Sequence, residues 1–459
     1  MKVLLWHGYL LTGSGSNVYT ANVARSWRAQ GHDVLVLCQE RNVEAFPFVD
    51  GIATFSPDGT RLESAALRDP VPAGRCVIAR PDLGGLLPVY VYDDYAGFTV
   101  KRFVDLTDAE LDDYTSRNIT AMETAIDVHR PDAIITGHEV MGPKIALEAC
   151  RRSSSTYLAK LHGSGLEFAV KEQDRYRAFA AEGLGGASIV VGGSEYMLRE
   201  AASVVGNLPA TAVVNPGVDV ELFNPRGREE PPAASVVFVG KLIALKGVHN
   251  LLAAIGLTTR PMTVTIVGYG GFEDGLHRLA AALSSGDIET ARALARRGEH
   301  RPLEDLEDFL AGPLEPGYLG RLRDVPVTFT GRLEHEPLAQ FLPSVDVLVV
   351  PSVVPEAFGM VAAEAAACGV LPIVPNHSGI AEAGRAVEEA IGEPGLLTFD
   401  AADPIRGIGA AIERVLGIPF EERRLMGLRA VEVARERWAW DRVGERLLDL
   451  ARGVAQRPG

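Results

Sequence analysis

The chain is poor in cysteine, carries no long apolar run and has no surplus of positive charge. Its four cysteines, Cys38, Cys76, Cys150 and Cys368, are scattered, with no CxxC pair and no histidine-paired spacing. That pattern excludes a disulfide-stapled scaffold and a structural zinc site, and fits small core residues in a reducing, cytoplasmic setting. No stretch of about 18 apolar residues occurs, so no membrane-spanning helix is expected. The opening "MKVLLWHGYLL" lacks a small-residue cleavage site and runs into a glycine-rich turn, so it reads as a first strand and not as a signal peptide. Sixty acidic against 45 basic residues leave a formal charge of −15, which argues against a nucleic-acid partner. The basic residues Arg25, Arg28, Arg151, Arg152, Lys171 and Arg175 keep a local patch for an anionic acceptor, or peripheral contact with a membrane, open.

Several motifs are also missing. No Asp-x-Asp pair is present to hold a catalytic metal on a diphosphate, and no metal ligands are assigned. The loop "TGSGSN" fails as a dinucleotide fingerprint because Val18 stands where the third glycine belongs, and it lacks the G-K-[ST] ending of a P-loop. Ser194 in "GGSEYMLRE" has no G-x-S-x-G elbow and reads as a helix cap.

What is present is one grammar written twice. Short β-rich runs alternate with longer helical patterns, as in doubly wound parallel sheets buried on both faces. The first half offers "KVLLWHG", "DVLVLCQ", "DAIITGHE", "STYLAKLHG" and "ASIVVGGS"; the second offers "SVVFVGK", "MTVTIVGYG", "VTFTGRL", "VDVLVVPS" and "GVLPIVPN". Nearly every run ends in glycine or a polar residue, at the strand edge where open α/β sheets bind ligands. A Pro/Gly-rich, charged junction divides the halves. The expected division is a Rossmann-like domain over 1–212, a linker over 213–234, a second such domain over 235–435, and a C-terminal helix over 436–459 returning to the first. Residues 41–105 read as an added hairpin and 281–320 as an inserted charged helical pair. Trp438, Trp440, Val443, Leu447 and Leu450 supply the apolar contacts of the C-terminal helix.

"PEAFGMVAAEAAACG" begins just past the buried run "VDVLVVPS". Gly359 allows close backbone approach, and the Ala-rich run from Met360 is a strong helix former ended by Gly369. A helix start at a strand edge offers free N–H groups to a phosphate. Glu364 would accept from paired hydroxyls such as those of a ribose, and Glu356 from those of a sugar. The local sequence equally allows Glu356 as a solvated loop acid and Glu364 as a cap for a neighbouring amide.

With its surroundings, this segment resembles the donor site of retaining GT-B glycosyltransferases of family 4. The E-x7-E pair joins "NPGVDVELFNP", "FVGKLIALKG", "LHGSGLEF", "TGRLEHEPLAQFLPSVDVLVVPS" and "NHSGIAE", all in the expected order. The resemblance implies an α/β GT-B architecture, two Rossmann-like domains facing a central cleft, and a hexosyltransferase using a UDP-, GDP- or ADP-sugar and a hydroxyl acceptor. It implies no cofactor beyond that donor substrate, and retention by a front-face route without a metal.

The resemblance assigns the diphosphate to Gly240, Lys241 and Lys246, with the usual arginine replaced by Lys241, a point charge instead of a planar fork. It assigns the β-phosphate and sugar to the backbone of Phe358, Gly359, Met360 and Val361, the ribose to Glu364, and the sugar hydroxyls and transition state to Glu356. His162 would touch the donor sugar or its anomeric region, with His138 a weaker acceptor-side candidate. Gly13 and Gly15 would contact phosphate or acceptor, or form a plain tight turn, and Gly331 and Arg332 would lie near the base. Two other readings stay open on the same scaffold: a non-catalytic nucleotide- or sugar-binding protein, and an epimerase, which does not account for the lysine segment together with E-x7-E.

Overall fold

The computed structural model describes the whole chain apart from residues 14, 69–73, 227–229, 232 and 456–459. It divides into two compact units, Met1–Pro216 with Trp440–Gly459, and Gly217–Ala439.

The first unit is built on a nine-stranded sheet. From edge to edge its strands are Thr211–Val213, Ile189–Gly192, Leu158–Lys160, Ala133–Gly137, Lys2–Trp6, Asp33–Leu37, Arg75–Arg80, Gly51–Phe55 and Leu62–Ala66. All neighbours are parallel except the last pair. The central strands carry β-branched and aliphatic residues buried on both faces, and so read as unbroken apolar runs. Order reverses between Lys2–Trp6 and Ala133–Gly137, which pair Val3 to Ala133. In such sheets, that reversal opens a crevice at the strand C-termini.

The second unit has six parallel strands, Val327–Gly331, Met262–Val267, Ala234–Val239, Val347–Val349, Leu371–Pro375 and Thr398–Phe399. Numbered along the chain within this unit, the spatial order is 3-2-1-4-5-6, that of a dinucleotide-binding sheet. Its switch point lies between Ala234–Val239 and Val347–Val349, paired Val236 to Val347. No helix among the described residues is long and apolar enough to cross a membrane.

In particular segments the structure differs from the expectations. Of the expected interdomain linker over 213–234, residues 227–229 and 232 lie outside the described residues. Val213 ends an edge strand of the first sheet, while Val218 and Phe223 are buried in the second unit's core. Within 41–105, of which 69–73 lie outside the described residues, the antiparallel hairpin is Gly51–Phe55 with Leu62–Ala66. "GLLPVYVYDDYAGFTV" instead supplies two parallel strands, Leu86–Val89 and Thr99–Arg102. Residues 281–320 run through four helices, Glu273–Ser285, Ile288–Arg297, Glu304–Ala311 and Tyr318–Asp324, because Gly286, Gly298 and Gly317 take positive φ and break the chain between them.

The C-terminal helix is Trp440–Ala455 and belongs to the first unit. It packs on the helix Gly15–Ala29, where Trp27 Nε1 donates to the Gly444 carbonyl at 2.9 Å. Trp440, Val443 and Leu447 are buried there, Leu450 is half-buried, and Trp438 goes to the second unit's core.

Five of the six basic residues considered for a patch are ion-paired. Arg28 pairs with Asp50, Arg151 with Glu148, Arg152 with Glu123, Lys171 with Glu167 and Glu200, and Arg175 with Asp108.

Candidate active site

The switch point of the second unit gathers the two stretches that the sequence singles out. After the strand Ala234–Val239 the chain runs through Gly240 and Lys241 into a single tight turn, Ala244–Lys246, and leaves through Gly247. Gly247 has φ 69°, and a Cβ there would overlap the Pro351 carbonyl. Only glycine lets the turn lie against the residues after Val347–Val349. The Val353 amide closes the contact by donating to the Leu245 carbonyl at 3.1 Å.

This docking brings Lys246 Nζ to 2.7 Å from Glu356 Oε1, across 110 residues of sequence. Glu356 is largely buried and held at both backbone ends. Its amide donates to Ser378 Oγ at 3.1 Å, and its carbonyl accepts from Gly379 at 2.9 Å. His377 stands beside it, its pKa lowered by burial and partly restored by the Glu356 charge. Lys241 is exposed.

Gly359 caps the helix Met360–Ala367 at φ 83°, where a Cβ would sit 2.6 Å from Ile380 Cδ1. In its first turn the Ala362 amide donates back to the Gly359 carbonyl at 3.0 Å, so the amides left without an intrahelical acceptor are those before Ala362. The Phe358 side chain is core, edge-on to Trp438 with ring centroids 5.5 Å apart, so only its backbone is available to a ligand. Met360 and Val361 are half-buried on the first turn.

One turn further, the Glu364 side chain is 12% exposed, and Nε2 of the exposed His335 lies 4.0 Å from its Oε1. Burial raises its pKa to about 7. A carboxylate so placed is short of hydrogen-bond donors, as a subsite for a diol would be.

Gly331, at φ 72°, accepts from the Gly268 amide at 2.9 Å, tying the end of Val327–Gly331 to the loop after Met262–Val267. Arg332 is exposed, paired with Glu334, and its guanidinium lies 5.4 Å from the exposed Tyr269 ring. Tyr269 was not read from the sequence, although an aromatic residue following "TIVG" at a strand edge was the available signal.

In the first unit, Gly13 has φ 98° with open space around it, and Gly15 begins the helix Gly15–Ala29. Ser14, between them, lies outside the described residues. His162 is packed edge-on to Tyr19, with ring centroids 5.1 Å apart, and 4.9 Å from His138. Burial, with His138 and Lys160 nearby, holds its pKa well below the ordinary value, so it is neutral near pH 7. Its turn is clamped by Glu139, whose buried carboxylate accepts from the amides of His162 (2.7 Å), Gly163 and Leu166 (3.2 Å). His7 and His138 stack across this unit's own switch point at 5.5 Å. His138 has φ 70°, and among the described residues neither of its ring nitrogens has a hydrogen-bond partner. Glu139 and His7 were missed because their roles come from strand order, which no local motif encodes.

Ser194 accepts from the Met197 amide as a helix cap. The cysteines are buried free thiols. Among the described residues no three His, Cys, Asp or Glu side chains converge as metal ligands.

Against known proteins, the family described as "Glycosyl transferase 4-like domain" matches residues 14–217, and "Glycosyl transferases group 1" matches 288–417. Both matches are to glycosyltransferase families, one over most of the first unit and one inside the second. A relative from Corynebacterium glutamicum, a GDP-mannose-dependent monoacylated α-(1-6)-phosphatidylinositol monomannoside mannosyltransferase, is 25% identical over 56% of this chain. The match spans 60% of that relative, less than two thirds of its length. Sucrose-phosphate synthase from Thermosynechococcus elongatus superposes over 99% of both chains with TM-score 0.61 and 19% identity. The Anabaena protein HepE in complex with UDP does so over 98% of this chain and 99% of its own, with TM-score 0.57 and 16% identity. The fold of the chain is GT-B.

Proposed function

We propose that this protein moves a sugar from a nucleoside diphosphate sugar to a hydroxyl acceptor, with retention of anomeric configuration and without a metal. The observation that carries the reading is the Lys246–Glu356 pair at the switch point of the second unit, beside a helix start. A departing diphosphate develops negative charge, and preorganised cations and amides are the means of stabilising it. Lys241, Lys246 and the backbone of Phe358–Val361 supply them. Donor binding divides the ion pair, with Lys246 turning to phosphate and Glu356 to the hydroxyls of the transferring sugar. Glu364 accepts from the ribose, and Arg332 and Gly331 border the base.

In the front-face route a leaving-group oxygen takes the acceptor proton as the new glycosidic bond forms and the old one breaks. Glu356 then braces positive charge at the sugar and does not attack it, so the acid-and-nucleophile logic of glycosidases does not apply to Glu356 and Glu364. The mannosyltransferase relative is named for GDP-mannose, and HepE was solved with UDP, which supports a nucleotide donor and leaves the base to experiment.

The test is nucleotide release from a panel of UDP-, GDP- and ADP-sugars, with and without EDTA, and the anomeric configuration of the product by NMR. Release unaffected by EDTA and a retained configuration are expected. Release abolished by EDTA would overturn the metal-free reading, and an inverted product the retaining one.

A further inference from the structure

The helical segment 281–320 has no part in the transfer described above, yet its central turn reaches the phosphate loop. Between Ile288–Arg297 and Glu304–Ala311 the chain reverses at Gly298, where φ is 53° and a Cβ would overlap the Arg301 carbonyl. The Leu303 amide returns to the Ala295 carbonyl at 2.8 Å. The reversal carries Glu299 Oε2 to 2.7 Å from the backbone N–H of Ala244. Ala244 opens the turn Ala244–Lys246, so its N–H is one that the turn's own carbonyls do not reach. Glu299 Oε1 faces Gly271, where a Cβ would stand 3.1 Å away, so the loop after Met262–Val267 leaves room for the carboxylate.

A second tie lies six residues on. Asp305 Oδ2 accepts from Asn250 Nδ2 at 3.4 Å, and Asn250 is fully buried in the helix Val248–Ala254 that follows the turn. Two acids of the inserted segment thus hold the chain on either side of Lys246 and Gly247.

We infer that Glu299 is a positioning residue of the donor site, capping the phosphate turn from outside it and deciding which amides remain open to the diphosphate. The inference rests on the donor-site reading above. A carboxylate on an N–H makes a charge-assisted bond, stronger than a neutral one. It fixes the turn so that Lys246 reaches the switch point. It also withdraws the Ala244 amide from competition, leaving the phosphates to the lysines and the start of Met360–Ala367. A glutamine at this position keeps an accepting oxygen at the same reach, whereas alanine frees both the turn and the amide.

The experiment titrates the full chain with UDP, GDP and ADP, and with the corresponding monophosphates, by calorimetry. It then repeats the titrations on Glu299→Ala and Glu299→Gln with the nucleotide that wild type binds best. Glu299→Ala is expected to weaken the diphosphate about tenfold or more, as loss of positioning does, with the monophosphate within about threefold. Glu299→Gln should restore most of the loss. An alanine variant that binds the diphosphate as wild type does, or more tightly, overturns the inference. So does a glutamine variant as weak as the alanine one, or an equal loss for monophosphate and diphosphate. Wild type that binds none of the three diphosphates overturns the donor-site reading itself, and the inference with it.

Discussion

Lys246 and Glu356 neutralise one another at 2.7 Å, and each is the other's charged partner at the end of a different strand. The pair is partly buried, with side-chain exposures of 31% and 15%, so removing one member leaves the other poorly solvated. In the proposed transfer the two have separate duties. Glu356→Gln should lower kcat about a hundredfold or more, the scale of a lost transition-state contact, with nucleotide diphosphate affinity nearly unchanged. Lys246→Ala should instead cost about 1.5–3 kcal/mol of diphosphate affinity, the worth of a charged hydrogen bond. Steady-state kinetics beside calorimetry reads both, and equal affinity losses in the two variants would contradict the division.

The second prediction concerns protons. Glu364 has its pKa raised from 4.5 to about 7 by burial. Between those values the folded chain holds a proton that the unfolded chain has lost, so this residue makes stability fall as pH rises from 4.5 to about 7. A bound diol donating to the carboxylate favours its charged form. Nucleotide binding near pH 7 should therefore release a fraction of a proton, measurable as a dependence of the calorimetric heat on buffer ionisation enthalpy. Glu364→Gln should abolish the release and weaken the nucleotide. A release unchanged in that variant would assign the proton elsewhere.

Lys160 runs in the opposite sense. It is buried, donates to the Val214 carbonyl at 3.0 Å, and desolvation lowers its pKa from 10.5 to about 7. Above that pH the folded chain has given up a proton that the unfolded chain keeps, so this residue makes stability rise with pH between about 7 and 10.5. Denaturant midpoints for the first unit, taken from pH 7 to 8.5, should show that rise and lose it in Lys160→Met. A rise of the same size in the variant would acquit Lys160.

A backbone test separates strain from collision. Gly247 and Gly392 both have positive φ, but only at Gly247 would a Cβ meet another segment, the Pro351 carbonyl. Gly392→Ala should cost about 1 kcal/mol of conformational strain. Gly247→Ala should cost at least about 2 kcal/mol more and weaken diphosphate binding, because the turn carrying Lys246 must leave the strand end. Equal midpoints for the two variants would sink this account of the docking.

The ten strands read from apolar runs all form, since a parallel strand buried on both faces is written as a continuous β-branched stretch. Arg75–Arg80 escaped notice because arginines bound a short apolar centre inside a Pro/Gly-rich region, and Thr398–Phe399 because two residues make no pattern. The lysine segment and E-x7-E were legible as motifs, and strand order brings them together. Glu299 was not legible at all. Its partner lies 55 residues away, and the bond exists only because Gly298 turns the chain back. His138 shows the same limit, since its strained φ and its ring nitrogens, without a hydrogen-bond partner among the described residues, follow from a crossover between strands.

The first unit takes its residues from both sides of the second, so Gly217–Ala439 is in effect a guest within a host. Trp27 finds its Gly444 partner only once the far end of the polypeptide has been made. During synthesis the host has all nine strands of its sheet before the guest's first strand emerges, yet its tryptophan must wait until the whole guest has been made.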